Sequence, residues 1–416
     1  MTNQLQRAQK IMERINELAA ISEEANGITR LFGTAAFLQG SSKVLAWMQT
    51  AGMDARIDNI GNVRGRLLSD NPAAKTLVIA SHIDTVRNAG KFDGPMGVLM
   101  GLAVIEDIIQ SGTALPFHIE LIAFSDEEGV RFHTTYLGSK VVAGSFETSL
   151  LNKKDEHGIS LYEVIEQMDG DTDQLKADAI AATDWLGYFE IHIEQGPVLY
   201  EKNIPVGLVT AIAGQRRAEI IFSGVAGHAG TVPMHMRNDA LCCAAEFILE
   251  AEKLAISNNV VTTVGKLQVT NAASNTIAGE VICSLDLRSA NETAGATAYE
   301  QLRNKCLAIC TKRNIIPEWK LVQHTAPVLC DGKLKSLLAQ SVEEAGYPLV
   351  EMLSGAGHDG VAIAAVAPVA MLFVRCFKGI SHNPLEAVEL KDMAAAIKVS
   401  DNFIRRLINT IKERVK

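Results

Sequence analysis

The sequence predicts an α/β protein with a mostly parallel mixed sheet flanked by helices, and an inserted ferredoxin-like α+β domain. Three observations predict this fold. Apolar strand-like runs alternate with stretches of helical spacing, as in α/β layer architectures. Histidines and acidic residues follow several predicted strands, where open α/β sheets bind their ligands. A segment in the second half of the chain has its own order of elements, which indicates an insertion.

The elements of the first domain follow from apolar periodicity. Helices show a period of 3.6 residues, and strands buried on both faces show short continuous apolar runs. The predicted elements are a helix over 1–24, a strand over 76–85, a helix over 97–110, strands over 118–128 and 188–195, a helix over 332–345, a strand over 369–375 and a helix over 391–413.

The inserted domain is predicted over residues 213–328, so that 1–212 and 329–416 form the first domain. Its order of elements, β-α-β-β-α-β, is the ferredoxin-like pattern. The predicted elements are a strand over 217–224, a helix over 239–257, strands over 260–270 and 280–289, a helix over 292–313 and a strand over 318–324.

Composition argues against several functional classes. The formal net charge is −9 and no basic stretch compensates it, which argues against nucleic acid or an anionic membrane as a partner. We find no apolar run of about 18 residues and no signal-peptide pattern. The seven cysteines are scattered without metal-binding spacing, so we expect a reducing, cytoplasmic location. A serine nucleophile is not indicated, because no GxSxG motif occurs.

The run SHIDT is the first motif that carries chemistry. His82 stands at a predicted strand end, where one ring nitrogen could bind a metal while Asp84 accepts the N–H of the other. Asp93, in a glycine-flanked loop, could bridge two ions because a carboxylate has two ligating oxygens. Taken alone, the motif is weak evidence for a metal and favours a capped loop or a core histidine.

The next predicted strand ends in Asp126, Glu127 and Glu128. Adjacent carboxylates repel one another and cannot all enter the core. This favours one carboxylate that binds a cation and a neighbour that accepts a proton from water. A solvated acidic turn is the alternative.

Three further motifs contain histidine. In HIEQGP, His192 and Glu194 alternate along a strand and should face the same side. GISHNP places His382 in a turn-rich loop after a strand, and GVAGHAGT places His228 in the inserted domain. Each could be an ordinary loop histidine. Together with the carboxylates they form a ligand set suited to Zn, Mn or related ions.

The motifs SHIDTV, FDGPMGV, FSDEEGVRF, HIEQGPVL, GHAGTVPM, SGAGHD and GISHNP occur in this order. They resemble the carbamoyl-amide branch of the glutamate-carboxypeptidase-like metallopeptidases, which includes allantoate amidohydrolase, N-carbamoyl-L-amino-acid hydrolase and β-ureidopropionase. The resemblance implies a catalytic α/β domain, an inserted dimerisation domain and two divalent ions, Zn or Mn, with Co or Ni also possible. A dimeric metal-binding protein without activity is the rival from another class.

The resemblance also implies roles for single residues. One ion would take His82 and His192, the other Glu128 and His382, with Asp93 bridging them. Glu127 would be the general base, and Asp84 and His228 would be further catalytic residues. His228 would stabilise the oxyanion in the partner's active site of a homodimer. The residues that would bind substrate are Gln195, His228, Asn275, Arg288 and the backbone of Gly357. Near Asn275 the branch usually has proline where Ala278 stands here.

Two features bear on the substrate, which would be a small ureido acid. Peptidase relatives carry a carboxylate where His192 stands, so this histidine favours carbamoyl substrates over peptides. FSDEEGVRFHTTYLGS is most similar to allantoate amidohydrolases, which favours hydrolysis of allantoate to ureidoglycine or ureidoglycolate with ammonia and carbon dioxide. N-carbamoyl-L-amino acids and β-ureidopropionate are the alternatives, since Arg288 could clamp the carboxylate of any of them.

Overall fold

The structure, a computed structural model, describes residues 3–415. The first predicted helix is therefore seen from Asn3, and residues 1 and 2 lie outside the described part. The α-helices are α1 Asn3–Ala19, α2 Ala35–Thr50, α3 Pro95–Ser111, α4 Leu137–Val142, α5 Leu161–Gln167, α6 Val198–Lys202, α7 Ala240–Asn258, α8 Glu292–Arg313, α9 Gly332–Glu344, α10 Gly360–Ile363 and α11 Leu390–Val415. The strands are β1 Asp54–Ile57, β2 Val63–Leu67, β3 Thr76–His82, β4 His118–Phe124, β5 Trp185–Ile193, β6 Val206–Ile212, β7 Gly214–Ser223, β8 Gly227–His228, β9 Val261–Thr263, β10 Leu267–Val269, β11 Thr276–Ile277, β12 Glu280–Ser289, β13 Ile316–Thr325, β14 Val328–Leu329, β15 Glu351–Ser354 and β16 Val369–Val374.

The chain divides into two compact units, Met1–Thr210 with Cys330–Lys416, and Ala211–Leu329. In the first unit a mixed sheet has the strand order β1-β2-β4-β3-β5-β16-β6, and β15 also pairs with β6. The strands β4, β3, β5 and β16 run parallel to their neighbours in this group. The strand pairs β1–β2, β2–β4 and β16–β6 are antiparallel. The first unit is thus an α/β structure with a parallel centre.

Both faces of the central strands are covered. Every residue of β3 is buried, and its side chains alternate between the two faces as a strand requires. Leu77 and Ile79 belong to the larger core, which includes residues of α1, α3 and α11, whereas Val78 and Ala80 belong to a smaller core that includes residues of α4 and α10. A strand buried on both faces needs a continuous apolar sequence, which is why β3 could be predicted.

The second unit has its own antiparallel sheet and its own core. Its strands lie in the order β10-β12-β7-β13, and β9 also pairs with β12. The long helices α7 and α8 follow β7 and β12, which gives the β-α-β-β-α-β order of a ferredoxin-like fold. The core of this unit includes Ile220, Phe222, Phe247 and Leu302.

Some elements differ from the sequence-based expectation. The strand expected over 260–270 is divided into β9 and β10, with Gly265 between them. The strand expected over 118–128 ends at Phe124, so the acidic residues that follow it lie in a loop. Helix α2 and strands β1, β2 and β6 were not predicted. Among the described helices, none combines the length and hydropathy needed to cross a bilayer.

Candidate metal centre and active site

Two predicted ligands lie on neighbouring strands. His82 is the last residue of β3, and His192 is the second last residue of β5. These strands run parallel and side by side, so their carboxyl ends meet. The two imidazole rings stack with centroids 5.7 Å apart, and both side chains are almost fully buried. The sheet therefore presents a pair of imidazoles at one edge.

The carboxylate of Asp93 is at the centre of the cluster. Its Oδ1 atom is 3.2 Å from His192 Nε2, and its Oδ2 atom is 3.0 Å from His382 Nε2. His382 Nε2 is also 3.4 Å from Glu128 Oε1. Ligand atoms of His82, Asp93 and His192 all lie within 4.8 Å of one another, and so do those of Asp93, Glu128 and His382. Asp93 is therefore common to two groups of three donors.

The backbone next to Asp93 requires a glycine. Gly94 has a φ of +83°, and a Cβ at this position would lie 2.5 Å from the ring of His82. Residues with a side chain rarely adopt this conformation, and the ring leaves no space for one. Glycine at position 94 thus lets the loop bring Asp93 close to His82.

The charges in the cluster perturb one another strongly. Burial alone would raise the pKa of Asp93, but the hydrogen bond with His382 and the charges of His192 and His82 hold it below its ordinary value. Hydrogen bonds with Asp93 and Glu128 raise the pKa of His382 to about 10. Burial lowers the pKa of His192, although Asp93 opposes this. The carboxylates of the site therefore favour positive charge between them.

The residues fit two divalent metal ions. His192 Nε2 is buried and forms no hydrogen bond within the described part of the chain, even though Asp93 is close. A neutral imidazole with a free lone pair beside a carboxylate is a ready metal ligand. Imidazole and carboxylate together suit Zn, Mn and similar ions. His82, Asp93 and His192 could hold one ion, and Asp93, Glu128 and His382 a second.

Asp84 connects His82 with the predicted general base. His82 Nδ1 is 3.1 Å from the backbone carbonyl of Asp84 and 3.5 Å from its carboxylate. The carbonyl, and not the expected carboxylate, is therefore the closer partner that orients the ring. The carboxylate accepts the backbone N–H groups of Glu127 and Glu128, both at 3.1 Å. Asp84 thus positions the loop that carries the base and a predicted ligand.

Glu127 is buried beside the cluster. Burial raises its pKa well above the ordinary value, the charge of His82 opposes this, and Glu128 raises it further. Ligand atoms of His82, Glu127 and Glu128 lie within 4.8 Å of one another. A carboxylate with a raised pKa can take a proton from water and return it to a leaving group near neutral pH.

Gln195 and Glu194, which are adjacent in the chain, have different roles. The amide of Gln195 donates to both oxygens of Asp93, at 3.2 and 3.0 Å. Glu194 accepts the backbone N–H groups of Val198 and Leu199 at 2.7 and 2.8 Å. It therefore holds the start of α6. β5 ends at Ile193, and the backbone N–H of Glu194 continues the pairing with β16 by donating to the carbonyl of Val374 at 3.0 Å.

Glu386 is a site residue that sequence reasoning missed. Its Oε1 atom accepts the backbone N–H groups of Phe92 and Asp93 at 2.7 and 3.0 Å. The hydroxyl of Ser381 lies 3.1 Å from both Glu386 Oε2 and Asp93 Oδ2 and can donate its single proton to either. Burial and the charge of Asp93 raise the pKa of Glu386 to about 7. The only signal in the sequence is its place four residues after His382, which is not specific.

A buried polar cluster around His358 contacts His192 and was also not predicted. The ring of His358 contacts that of His192, with centroids 4.5 Å apart. Its Nδ1 is 3.9 Å from Glu190, and its Nε2 is 2.8 Å from the hydroxyl of Ser354. Tyr188 donates to the other oxygen of Glu190 at 2.9 Å. The motif SGAGHD marked this segment, but its partners on β5 could not be read from the sequence.

Gly357, in the same segment, approaches another loop closely. A Cβ at this position would overlap the hydroxyl of Tyr136, the residue before α4. Glycine is therefore needed here for a close approach of side chain to backbone. Ser139 of α4 donates to Asp359 at 2.6 Å, which ties the same two segments together a second time.

Three predicted site residues belong to the second unit. His228 is exposed in β8 and pairs with Thr276 of β11. The residue after His228 donates its backbone N–H to the Asn275 carbonyl at 2.9 Å. The hairpin thus brings His228 and Asn275 together although Ala278 replaces the usual proline. The guanidinium of Arg288 contacts both carboxylate oxygens of Asp286.

The arrangement in the first unit defines a class of protein. Two sets of donors that share one aspartate, with a buried glutamate beside them, are typical of hydrolases that use two metal ions. Residues 78–406 match the peptidase family M20/M25/M40. The chain belongs to this family and is a dinuclear metal-dependent amidohydrolase.

Several known proteins and solved structures are similar to this chain, among them the following three. The chain is 37% identical to allantoate deiminase of Arabidopsis thaliana, over 92% of this chain and 79% of the relative. It is 36% identical to the N-carbamoyl-L-amino acid amidohydrolase of Geobacillus stearothermophilus, over 94% and 96%. A hydantoinase/carbamoylase family amidase of Burkholderia multivorans superposes with a TM-score of 0.91 at 31% identity, covering 96% of this chain and 98% of that one.

Proposed function

We propose that this enzyme hydrolyses the terminal ureido amide of a small carboxylic acid, and that allantoate is its substrate. The products are ureidoglycine, ammonia and carbon dioxide; a second water that displaces ammonia from ureidoglycine would give ureidoglycolate. The observation that carries the proposal is the buried Glu127 beside two donor groups that share Asp93. The relatives named for allantoate and for N-carbamoyl amino acids are almost equally similar. The stretch around Tyr136 favours the first, and N-carbamoyl-L-amino acids and β-ureidopropionate are the second candidates.

Glu127 accounts for the movement of protons. When bound, divalent ions would polarise the substrate carbonyl and make water more acidic. Glu127 accepts a proton as water attacks the ureido carbon, and then delivers it to the leaving nitrogen. The C–N bond breaks, and the resulting carbamate decomposes to ammonia and carbon dioxide. Asp84 and Gln195 keep Glu127 and Asp93 in position through the contacts described above.

We further propose that the protein is a homodimer and that the second unit is its dimerisation domain. His228 would stabilise the oxyanion in the partner's active site, while Arg288 and Asn275 would bind the substrate carboxylate and ureido group. The exposed position of His228 supports a role outside its own hairpin. A cytoplasmic location agrees with seven cysteines that are all free thiols.

An ammonia-release assay tests the substrate proposal. The protein is loaded separately with Mn²⁺ and Zn²⁺ and given allantoate, N-carbamoyl-L-amino acids, β-ureidopropionate, an N-acetyl amino acid and a dipeptide; hydrolysis of the last two is followed by amine release. Turnover of allantoate with little turnover of the others is expected. Turnover confined to carbamoyl amino acids would leave the proposed site and reaction standing but replace allantoate as the substrate. Hydrolysis of the dipeptide or acetyl compound alone would refute a ureido amidohydrolase.

Mixing two inactive variants tests the shared site. We expect Glu127→Gln to keep both metal ions and lose most turnover, and His228→Ala to lose turnover by roughly 100-fold or more. In a mixed dimer, one site has an intact Glu127 and an intact His228 from the other chain. Recovery of activity on mixing is therefore expected. If the mixture forms mixed dimers and stays inactive, His228 does not act across the dimer.

A further inference from the structure

Tyr136 is fixed beside the base by its backbone. Its N–H donates to the carbonyl of Glu127 at 3.2 Å, and the next N–H, of Leu137, donates to the carbonyl of Asp126 at 3.0 Å. Tyr136 has a φ of +65°, in the left-handed region. Aromatic residues rarely adopt this conformation, and such outliers are concentrated at functional sites. The loop over residues 128–135 thus returns the chain so that Tyr136 stands next to Glu127.

The side chain of Tyr136 extends to the opposite segment. Its hydroxyl lies over Gly357, where any Cβ would overlap it, and the hydrogen bond between Ser139 and Asp359 holds the same two segments together. The ring is only partly buried. Tyr136 thus contacts Glu127 through its backbone and Gly357 through its hydroxyl, and its partly exposed side chain is placed to meet a ligand.

The phenol is a neutral hydrogen-bond donor in this environment. Burial and the negative charges of Glu127 and Asp359 raise the pKa of Tyr136, and a hydrogen bond with Thr135 acts in the opposite direction. The hydroxyl therefore keeps its proton at the pH where Glu127 works. A neutral O–H beside a reacting carbonyl can stabilise negative charge that develops on its oxygen.

We propose that Tyr136 is a further catalytic residue, whose phenol donates a hydrogen bond to the substrate carbonyl oxygen as water attacks. This inference rests on the proposed amide hydrolysis but not on the identity of the amide. The carbonyl oxygen gains negative charge when the water oxygen bonds to the carbon and Glu127 takes the proton. The phenol keeps its own proton throughout, and the oxygen loses its extra charge when the leaving nitrogen departs.

The test compares Tyr136→Phe with wild type on whichever amide of the assay panel the wild type hydrolyses best. The change removes one oxygen and keeps the ring. We expect kcat to fall about 10- to 100-fold with little change in KM, because the bond is made in the transition state. Tyr162→Phe is the matched control, since Tyr162 is exposed on α5. Metal content and thermal midpoint are measured for both variants to establish equal folding.

A second variant separates the phenol from the backbone turn. Asparagine adopts the left-handed conformation readily, so Tyr136→Asn keeps the turn and removes the hydroxyl. A kcat as low as that of Tyr136→Phe supports the proposal. A kcat within about threefold of wild type in either variant, or a change confined to KM, would overturn it. Because wild-type turnover is measured first, failure of the ureido proposal is seen separately.

Discussion

Replacing Asp84 by asparagine should weaken metal binding without disrupting the fold. Each carboxylate oxygen of Asp84 accepts one backbone N–H, from Glu127 and Glu128, at 3.1 Å, and the side chain is 1% exposed. Asparagine has one acceptor oxygen, so one of the two N–H groups would face an NH₂ group instead. Leaving a buried donor unsatisfied costs about 1–3 kcal/mol. The metal-free variant should lose that much stability.

The same change should lower metal affinity. Glu128 would lose the bond that fixes its backbone, and His82 would lose the negative charge 3.5 Å from its Nδ1. Changes to residues that orient metal ligands reduce affinity or activity about 10- to 100-fold, which corresponds to about 1.4–2.7 kcal/mol. Titration of Zn²⁺ or Mn²⁺ against a competing chelator measures the affinity, and urea unfolding of the metal-free protein measures the stability.

Asp155→Asn is the matched control. Asp155 is a buried carboxylate whose Oδ1 accepts the backbone N–H groups of His157 and Ile159. Its Oδ2 accepts a hydrogen bond from Arg131 at 3.0 Å, so asparagine would lose this ion pair. Asp155 is not part of the metal-ligand groups in the described chain. Its substitution should lower stability and leave metal affinity unchanged. If Asp84→Asn binds metal as tightly as this control does, the argument that Asp84 organises the ligands is wrong.

Two other substitutions test the surroundings of the site and the pH dependence of folding. Glu386→Gln keeps one acceptor oxygen for the Asp93 loop but loses one carboxylate contact, so metal affinity should fall about tenfold in the same titration. The control Glu389→Gln, at an exposed position, should leave metal affinity unchanged. Equal metal affinities of the two variants would refute the supporting role of Glu386. Burial raises the pKa of Asp58 from 3.8 to about 6, and the charge of Arg64 opposes this. The contribution of Asp58 to the free energy of unfolding is therefore fully present below pH 3.8 and is lost as the pH rises through 6. Asp58→Asn should therefore remove roughly 2–3 kcal/mol of the decline in unfolding free energy between pH 4 and 6; urea unfolding at each pH would contradict this if both proteins declined in parallel.

The elements that carry the ligands could be predicted because their sequences have little freedom. β3 and β4 are buried on both faces, so they are mostly apolar, and the polar residues at their carboxyl ends stand out. Parallel strands bring their carboxyl ends to one edge, which is why His82 and His192 could be expected to meet. The shared position of Asp93 needed the family resemblance, because loops have no period that fixes where they fold.

Other elements gave weaker signals. Helix α2 contains Gly40, Ser41 and Ser42, which are poor helix formers in a helix interior. The structure shows why a glycine stands there: a Cβ at Gly40 would press on the side chain of Arg30. Arg30 is fully buried and donates to three backbone carbonyls. Packing around a buried arginine thus outweighs helix propensity, and propensity alone could not predict α2.

Glu386, and the contacts of Asp84 with the backbone of Glu127 and Glu128, were not predicted, for a common physical reason. Asp84 and Glu386 both accept backbone N–H groups of ligand-bearing loops, and any loop residue presents the same N–H. The residue type that carries the N–H group therefore does not indicate that this contact is formed. Both supporting groups are acidic and lie beside acidic ligands, so the carboxylates repel one another. This repulsion contributes to the raised pKa of Glu386, where the charge of Asp93 adds to the effect of burial. Bound cations relieve that repulsion, and we therefore expect metal loading and ordering of these loops to strengthen each other.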